Sequence, residues 1–249
     1  MNPIVVIAAV PQEVELLEKA LEHSVKVQVG GYVYHEGTIG DARVVVCAGG
    51  VGKINAAAAT AVMIERWQPR LVINTGSAGA YPGSGLSIGD LVVATEEVLA
   101  DDGVVVGEGW RDLRYMNLPI VKGRGVSCYN VLPLSPQASE KALQLADNYA
   151  VSIKCGRSAT VSTCSGTRQY ADELSKRWNA LIENMEGAAV AQVCLRSGVE
   201  CLEIRGISNM VEERDLKAWD IPGAVEAAQL FVLKYIEQME QSIISGSSK

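Results

Sequence analysis

Two rhythms of apolar and polar residues run through this chain. Apolar runs fall at 4–10, 43–48, 70–75, 88–94 and 201–207, and 151–163 also reads as a strand. Runs of this kind read as strands buried on both faces. Between them, apolar positions recur at helical spacing, predicting helices that start at Pro11, at Ile54 (to Trp67), at Pro136 (to Asp147), at Arg168 (to Trp178), at Gly187 (to Arg196) and after Asp220 (to about Ile243). Pro11, Pro136 and Pro222 suit first helical turns, and Asp220 suits an N-cap. Residues 25–48 alternate and carry turn signals at Gly30-Gly31, Gly37 and Gly40-Asp41, so they read as antiparallel strands. The glycine-rich, charged stretch 101–125 reads as a long loop, and 210–217 as a shorter one. No linker and no internal repeat divides the chain. The pattern predicts a single α/β domain over 1–243, with a mixed central β-sheet flanked by helices and a frayed tail at 244–249.

Composition narrows the function classes. Of the 249 residues, 48% are hydrophobic and 20% charged, which suits one ordinary core. A net charge of −7 without a Lys/Arg run argues against nucleic acid as a partner. The six cysteines form no Cys-x-x-Cys pair and sit mostly in apolar runs, so they read as free buried thiols. With only His23 and His35, a histidine-rich metal site is not expected. The N-terminal run lacks a basic flank and leads into an acidic helix, so it reads as a strand and not a signal peptide. No run is long enough to span a bilayer. The expectation is a cytoplasmic protein.

The candidate chemistry clusters at strand-to-helix junctions, where open α/β sheets bind ligands. Glu13 follows the first strand, and Glu186 precedes the small-residue helix starting at Gly187. Asn209 follows the 201–207 run. Each has an ordinary reading, as a carboxylate favouring a helix N-terminus or a turn-forming amide. Together they read as polar groups facing one crevice. Gly49-Gly50-Val51-Gly52-Lys53 looks like a phosphate loop but fails as one. Cys47 stands where the first glycine belongs, and Ile54 where Ser or Thr would hold magnesium.

Taken in order, these motifs resemble the purine nucleoside phosphorylase and nucleosidase superfamily nearly end to end. The marks are Ala8-Ala9-Val10-Pro11-Gln12-Glu13-Val14, the 49–56 glycine run, Asn74-Thr75-Gly76-Ser77-Ala78-Gly79, Gly89-Asp90-Leu91-Val92-Val93, Asn184-Met185-Glu186-Gly187-Ala188-Ala189 and Arg205-Gly206-Ile207-Ser208-Asn209. The layout is similar to the methylthioadenosine/adenosylhomocysteine nucleosidase branch, whose members cleave the N-glycosidic bond with water. The early Gly-Asp-Pro segment of the hexameric phosphorylases, with its phosphate-binding Arg, is absent. The resemblance implies that Glu13 activates water, that Glu186 holds the ribose hydroxyls with Met185 beside the sugar, and that Arg205 supports the carboxylates. It also implies that Ser77, Gly79, Ser208, Gly166 and Thr167 line the water and base positions. No cofactor or metal is implied. The partner is a small nucleoside, and a homo-oligomer, dimer or larger, is expected, with residues 101–118 as the loop covering the partner's 5′ pocket.

One departure changes the substrate expectation. Adenosine-type nucleosidases carry Asp where this chain has Asn209. An amide has one fixed donor end and one fixed acceptor end. It suits a purine protonated at N7 with an oxygen at position 6, whereas an adenine 6-amino group would meet it donor to donor. The resemblance then extends to the futalosine hydrolases, which release hypoxanthine and dehypoxanthine futalosine in menaquinone biosynthesis. Val211-Glu212-Glu213-Arg214-Asp215 and Trp219-Asp220-Ile221-Pro222 are also similar to that family. For the substrate's 5′ carboxyphenyl group, Arg111, Arg114 and Lys122 are the candidate cations. The alternatives are a methylthioadenosine/adenosylhomocysteine nucleosidase that tolerates Asn209, a phosphorylase, and a non-catalytic nucleoside-binding relative.

Overall fold

The computed structural model describes residues 2–123, 126–149 and 151–246. The chain opens with β1 (Ile4–Ala8), a 3₁₀ turn (Pro11–Glu13) and α1 (Glu15–Ala20). Glu13 therefore sits in a separate 3₁₀ turn, not in the first turn of an α-helix as its spacing suggested. A meander of β2 (Glu22–Val29), β3 (Tyr32–Ile39) and β4 (Ala42–Ala48) follows, then α2 (Lys53–Trp67) and β5 (Leu71–Ala80). β5 runs on through Gly76-Ser77-Ala78-Gly79, past the strand end expected at Thr75. After β6 (Leu91–Leu99), the stretch expected to be one long loop holds two hairpins. They are β7 (Gly103–Val106) with β8 (Gly109–Asp112), and β9 (Val121–Gly123) with β10 (Val126–Cys128). The first is anchored by Trp110, which meets Trp178 edge-on at 5.7 Å. Next come β11 (Val131–Pro133), α3 (Pro136–Asn148), β12 (Ile153–Thr160), α4 (Arg168–Trp178), β13 (Ala180–Asn184), α5 (Gly187–Ser197), β14 (Glu200–Met210), a 3₁₀ turn (Leu216–Ala218) and α6 (Ile221–Gly246). The strand β13 was not anticipated. Of the tail expected at 244–249, residues 244–246 are helical, and 247–249 lie outside the described residues.

The central sheet is mixed. It runs β11-β6-β12-β13-β5-β1-β4-β3-β2, and β14 pairs with both β5 and β6. β5 is the pivot. Its first half pairs in parallel with β1, from Leu71 to Asn74, while Gly79 and Ala80 pair antiparallel with β13. Along its other edge β5 pairs with β14 throughout. The β5, β14, β6, β12 and β13 pairings close into a ring. Between Asn74 and Gly79, one edge of β5 thus has no strand beside it, and the cavity opens there.

Period-two alternation in β1 feeds two cores. Ile4, Val6 and Ala8 pack with Leu17, Ala142, Leu145, Phe231 and Tyr235 from α1, α3 and α6. Val5 and Ile7 pack with Ala56, Met63, Trp67, Ala188 and Cys194 from α2 and α5. Helices cover both faces, as continuous apolar strands require. Among the described residues, no helix is long and apolar enough to cross a membrane.

Candidate active site

A cavity of about 430 Å³ opens where β5 changes partners. Glu13 lies on its floor, 5% exposed. Its Oε2 accepts from the Ala9 and Val10 amides at 3.0 and 3.3 Å, and its Oε1 from the Ser77 amide and hydroxyl at 2.9 and 3.0 Å. The β1 turn and β5 thus hold one carboxylate between them. Gly76 makes room for it: a Cβ there would lie 2.6 Å from Glu13 Oε1, and the backbone φ of +135° disfavours side chains.

Glu186 stands at the start of α5, which supplies its favourable N-terminal field. Its Oε1 accepts from the Gly52 amide at 2.9 Å, and its Oε2 lies 3.7 Å from Arg205 Nη1. The glycine run that fails as a phosphate loop thus delivers a backbone donor to this carboxylate. Burial pushes Glu186 above the ordinary carboxylate range, and the Glu13 charge adds to that. The Arg205 guanidinium and the Gly52 amide oppose it without cancelling it.

Behind Glu186 lies a layer of charge sealed from solvent. Arg205 is 1% exposed; its Nε donates to Glu203 Oε1 at 2.8 Å and its Nη1 to the Ser77 carbonyl at 3.3 Å. Burial alone would lower its pKa, but the charges of Glu203, Glu186 and Glu13 hold it above its ordinary value. Glu97 and Glu203 are both fully buried. They converge on Gly187, where a Cβ would overlap an oxygen of each. Burial first, and then the Glu203 charge, push Glu97 well above the carboxylate range. Asn184 ties this layer to the site: its Nδ2 donates to Glu97 Oε1 at 2.8 Å, and its Oδ1 accepts from the Glu186 and Gly187 amides at 2.8 and 2.7 Å.

Asn209 lies within β14 rather than after it, as the sequence had suggested. A bulge between Ile207 and Asn209 shifts the register against β5. Bulges re-aim side chains, and both Ser208 and Asn209 line the cavity. Ser208 Oγ donates to Asn209 Oδ1 at 2.8 Å, and Asn209 Nδ2 donates to the Met210 carbonyl at 3.1 Å. Turning the amide over would set Oδ1 against that carbonyl, acceptor to acceptor, so Met210 fixes its orientation. One donor and one acceptor position of the amide remain for a ligand.

Ser77, Gly79 and Met185 also line the cavity, as do Cys164 and Ser165. Gly166 and Thr167 do not; Thr167 instead caps α4, accepting from the Tyr170 amide at 3.3 Å. Among the lining residues that the sequence reading did not single out, two carry charge deep in or at the edge of the cavity. Glu183 is buried and accepts from the Ser165 amide and hydroxyl at 3.0 and 2.7 Å. Burial raises its pKa against those bonds and the Arg214 charge. Arg214 is the second, at the cavity mouth. Arg111, Arg114 and Lys122 line no part of the cavity: Arg111 donates to the Trp110 carbonyl at 3.3 Å, and Arg114 stacks on Tyr129 at 5.3 Å.

The chain is similar to known proteins over most of its length. A match to the Phosphorylase superfamily spans residues 3–237. The chain is 38% identical, over 178 residues covering 72% of it and 74% of the relative, to a futalosine hydrolase of Thermus thermophilus. It is 31% identical, over 224 residues covering 86% and 88%, to a 5′-methylthioadenosine/S-adenosylhomocysteine nucleosidase of an Exiguobacterium species. The fold superposes on the Neisseria meningitidis nucleosidase of that second type, in complex with methylthio-immucillin-A. That comparison has a TM-score of 0.83 and 26% identity, and covers 96% of this chain and all of the other.

Proposed function

The chain belongs to the phosphorylase superfamily and is a nucleosidase that hydrolyses N-glycosidic bonds, and on that premise we propose that its substrate is futalosine, cleaved to hypoxanthine and dehypoxanthine futalosine. The observation that carries this reading is the fixed amide of Asn209. Its orientation leaves an Nδ2 hydrogen for an oxygen at purine position 6, and an Oδ1 lone pair for a proton on N7. An adenine would leave a buried donor facing a donor, at a cost of about 1–3 kcal/mol. Mismatch of that kind rejects near-isosteres more strongly than shape does.

Cleavage builds positive charge on the ribose and negative charge on the purine. Glu186 fixes the ribose hydroxyls and faces the developing cation. Glu13 orients the attacking water and takes its proton. Of its four hydrogen bonds, only that from the Ser77 hydroxyl can rotate away, which opens one lone pair to the water. Asn209 supplies no proton; the N7 proton comes from solvent, and the amide stabilises it. The active form is a homo-oligomer, in which the 101–118 segment of a second copy closes the 5′ side. Lys53 pairs with Asp101 and Asp102 at 2.7 and 2.5 Å, setting the start of α2 beside that segment. Val51, Ile54, Val105, Tyr115 and Leu118 expose apolar surface in these two regions.

The second reading, release of adenine from methylthioadenosine, is favoured by the coverage of the Exiguobacterium relative and by the superposition. One assay separates the two. The purified protein is incubated without phosphate, with futalosine or with methylthioadenosine, and the free base is followed by chromatography. Hypoxanthine from the first and no adenine from the second is the expected result. Adenine with futalosine untouched would overturn the proposal.

A further inference from the structure

We infer, on the reading that the substrate carries an aryl carboxylate on its 5′ side, that Arg214 and Trp219 form the subsite that selects for that anion. The cavity wall is otherwise hostile to negative charge: Glu13, Glu183, Glu186 and Glu212 all line it. Arg205 does not offset them for a ligand, because it sits behind the wall, bound to Glu203 and the Ser77 carbonyl. Arg214 is the one cation among the described lining residues, and it makes no ion pair among the described residues. Glu183 faces it across the cavity, but Glu212 and Glu213 beside it in the chain are turned elsewhere. Glu212 faces Arg168 at 4.0 Å, and Glu213 accepts from the Arg168 amide at 3.5 Å.

Arg214 hydrogen-bonds the Cys164 side chain and feels the Glu183 charge, and its guanidinium packs on the Trp219 ring, 5.0 Å from the centroid. The ring contact is weak at an exposed site and leaves the side chain able to turn to a carboxylate. A guanidinium presents a planar fork that a carboxylate meets with two hydrogen bonds. Trp219 offers a flat apolar face on which an aryl ring stacks with an offset. Val10, Val51, Met185 and Ile221 extend the apolar lining. The mouth therefore matches a ligand with an aromatic body and a negative tip.

The test compares futalosine with its neutral methyl ester, a probe of nearly the same shape, on the full-length chain. The unsubstituted protein should prefer the acid by about 10–100-fold in kcat/KM, the range for a hydrogen bond to a charged group. In Arg214→Ala that ratio should collapse towards one, through KM for the acid, and Arg214→Lys should restore part of it. A ratio that stays high in Arg214→Ala, or acid and ester losing rate in parallel, would overturn the subsite. If the unsubstituted protein cleaves neither compound but releases adenine from methylthioadenosine, the futalosine reading fails and the subsite with it. Circular dichroism of both variants separates these results from misfolding.

Discussion

The floor of the cavity and its mouth are built on opposite plans. On the floor, every carboxylate oxygen of Glu13 and Glu186 is placed by a backbone amide, a hydroxyl or a buried guanidinium, and a second tier of Glu97, Glu203, Asn184 and Arg205 holds that arrangement from behind. At the mouth, on the stretch between β14 and α6, Arg214 stacks on Trp219 and reaches the Cys164 side chain, with no second tier behind it. A floor fixed before substrate arrives needs no reorganisation during bond cleavage, which is the economy of preorganised electrostatics. A mouth with few ties is free to differ between relatives that share one reaction. The contrast fits a chain whose relatives include nucleosidases named for different substrates.

Removing Glu203 should break the floor most severely. Glu203→Ala strips the Arg205 Nε of its acceptor in a fully buried position. Deleting one partner of a buried pair costs about 3–5 kcal/mol. At about 2–4 °C per kcal/mol for a chain of this size, the loss in Tm by circular dichroism should be about 6–20 °C. A loss no larger than that of an exposed substitution at the mouth would show that the second tier carries no load, and the contrast would fall.

Next in size is Glu13→Gln, which tests whether the floor does chemistry or only holds shape. The amide keeps the size of the side chain but cannot take a proton from water. A positioned general base contributes about 10²–10⁴-fold, so single-turnover rates should fall by that factor while Tm moves little. Near-full turnover would remove Glu13 from the reaction. The acid limb of the rate profile adds a check on Glu186. Since its carboxyl titrates above the ordinary range, activity that needs it ionised should fall off at a higher pH than an ordinary glutamate would give.

The floor's first tier was legible in the sequence, and its second tier was not. Glu13 and Glu186 stand beside junctions that local pattern marks, an apolar run ending at a proline and a small-residue helix beginning at glycine. Glu97, Glu183 and Glu203 sit inside strands, where a lone acidic residue looks like an outward-facing position. Only the ring of pairings from β5 round to β13 turns them inward, and those pairings join residues about a hundred positions apart. β13 itself is short, and its antiparallel pairing to β5 covers two residues, so no periodicity announces it. The bulge at Ser208 is of the same kind: apolar pattern gave the strand, but not the slip of register that aims Asn209 at the cavity. At the mouth, charge alone could not separate Arg214 from Arg111, Arg114 or Lys122. Their distance from the cavity is a property of the hairpins into which 101–128 folds.

The smallest expected effect is the most specific to the second tier. Burial and the Glu203 charge hold the Glu97 carboxyl well above the ordinary range. Its folded pKa lies above its unfolded one, so its contribution to stability is fully present below the unfolded value of about 4.3 and is lost as pH rises through the folded value. Glu97→Gln keeps a neutral donor facing Glu203 but cannot ionise. The variant and the unsubstituted protein should therefore differ little in Tm near pH 4, and the variant should gain as pH rises, by about 2–4 °C for each kcal/mol of strain it escapes. Other groups, such as Glu36 and Asp101 with lowered pKa values, give both proteins the opposite slope, so the difference between the two curves is the quantity to read. A variant that loses stability as pH rises would mean that Glu97 is the charged member of the pair.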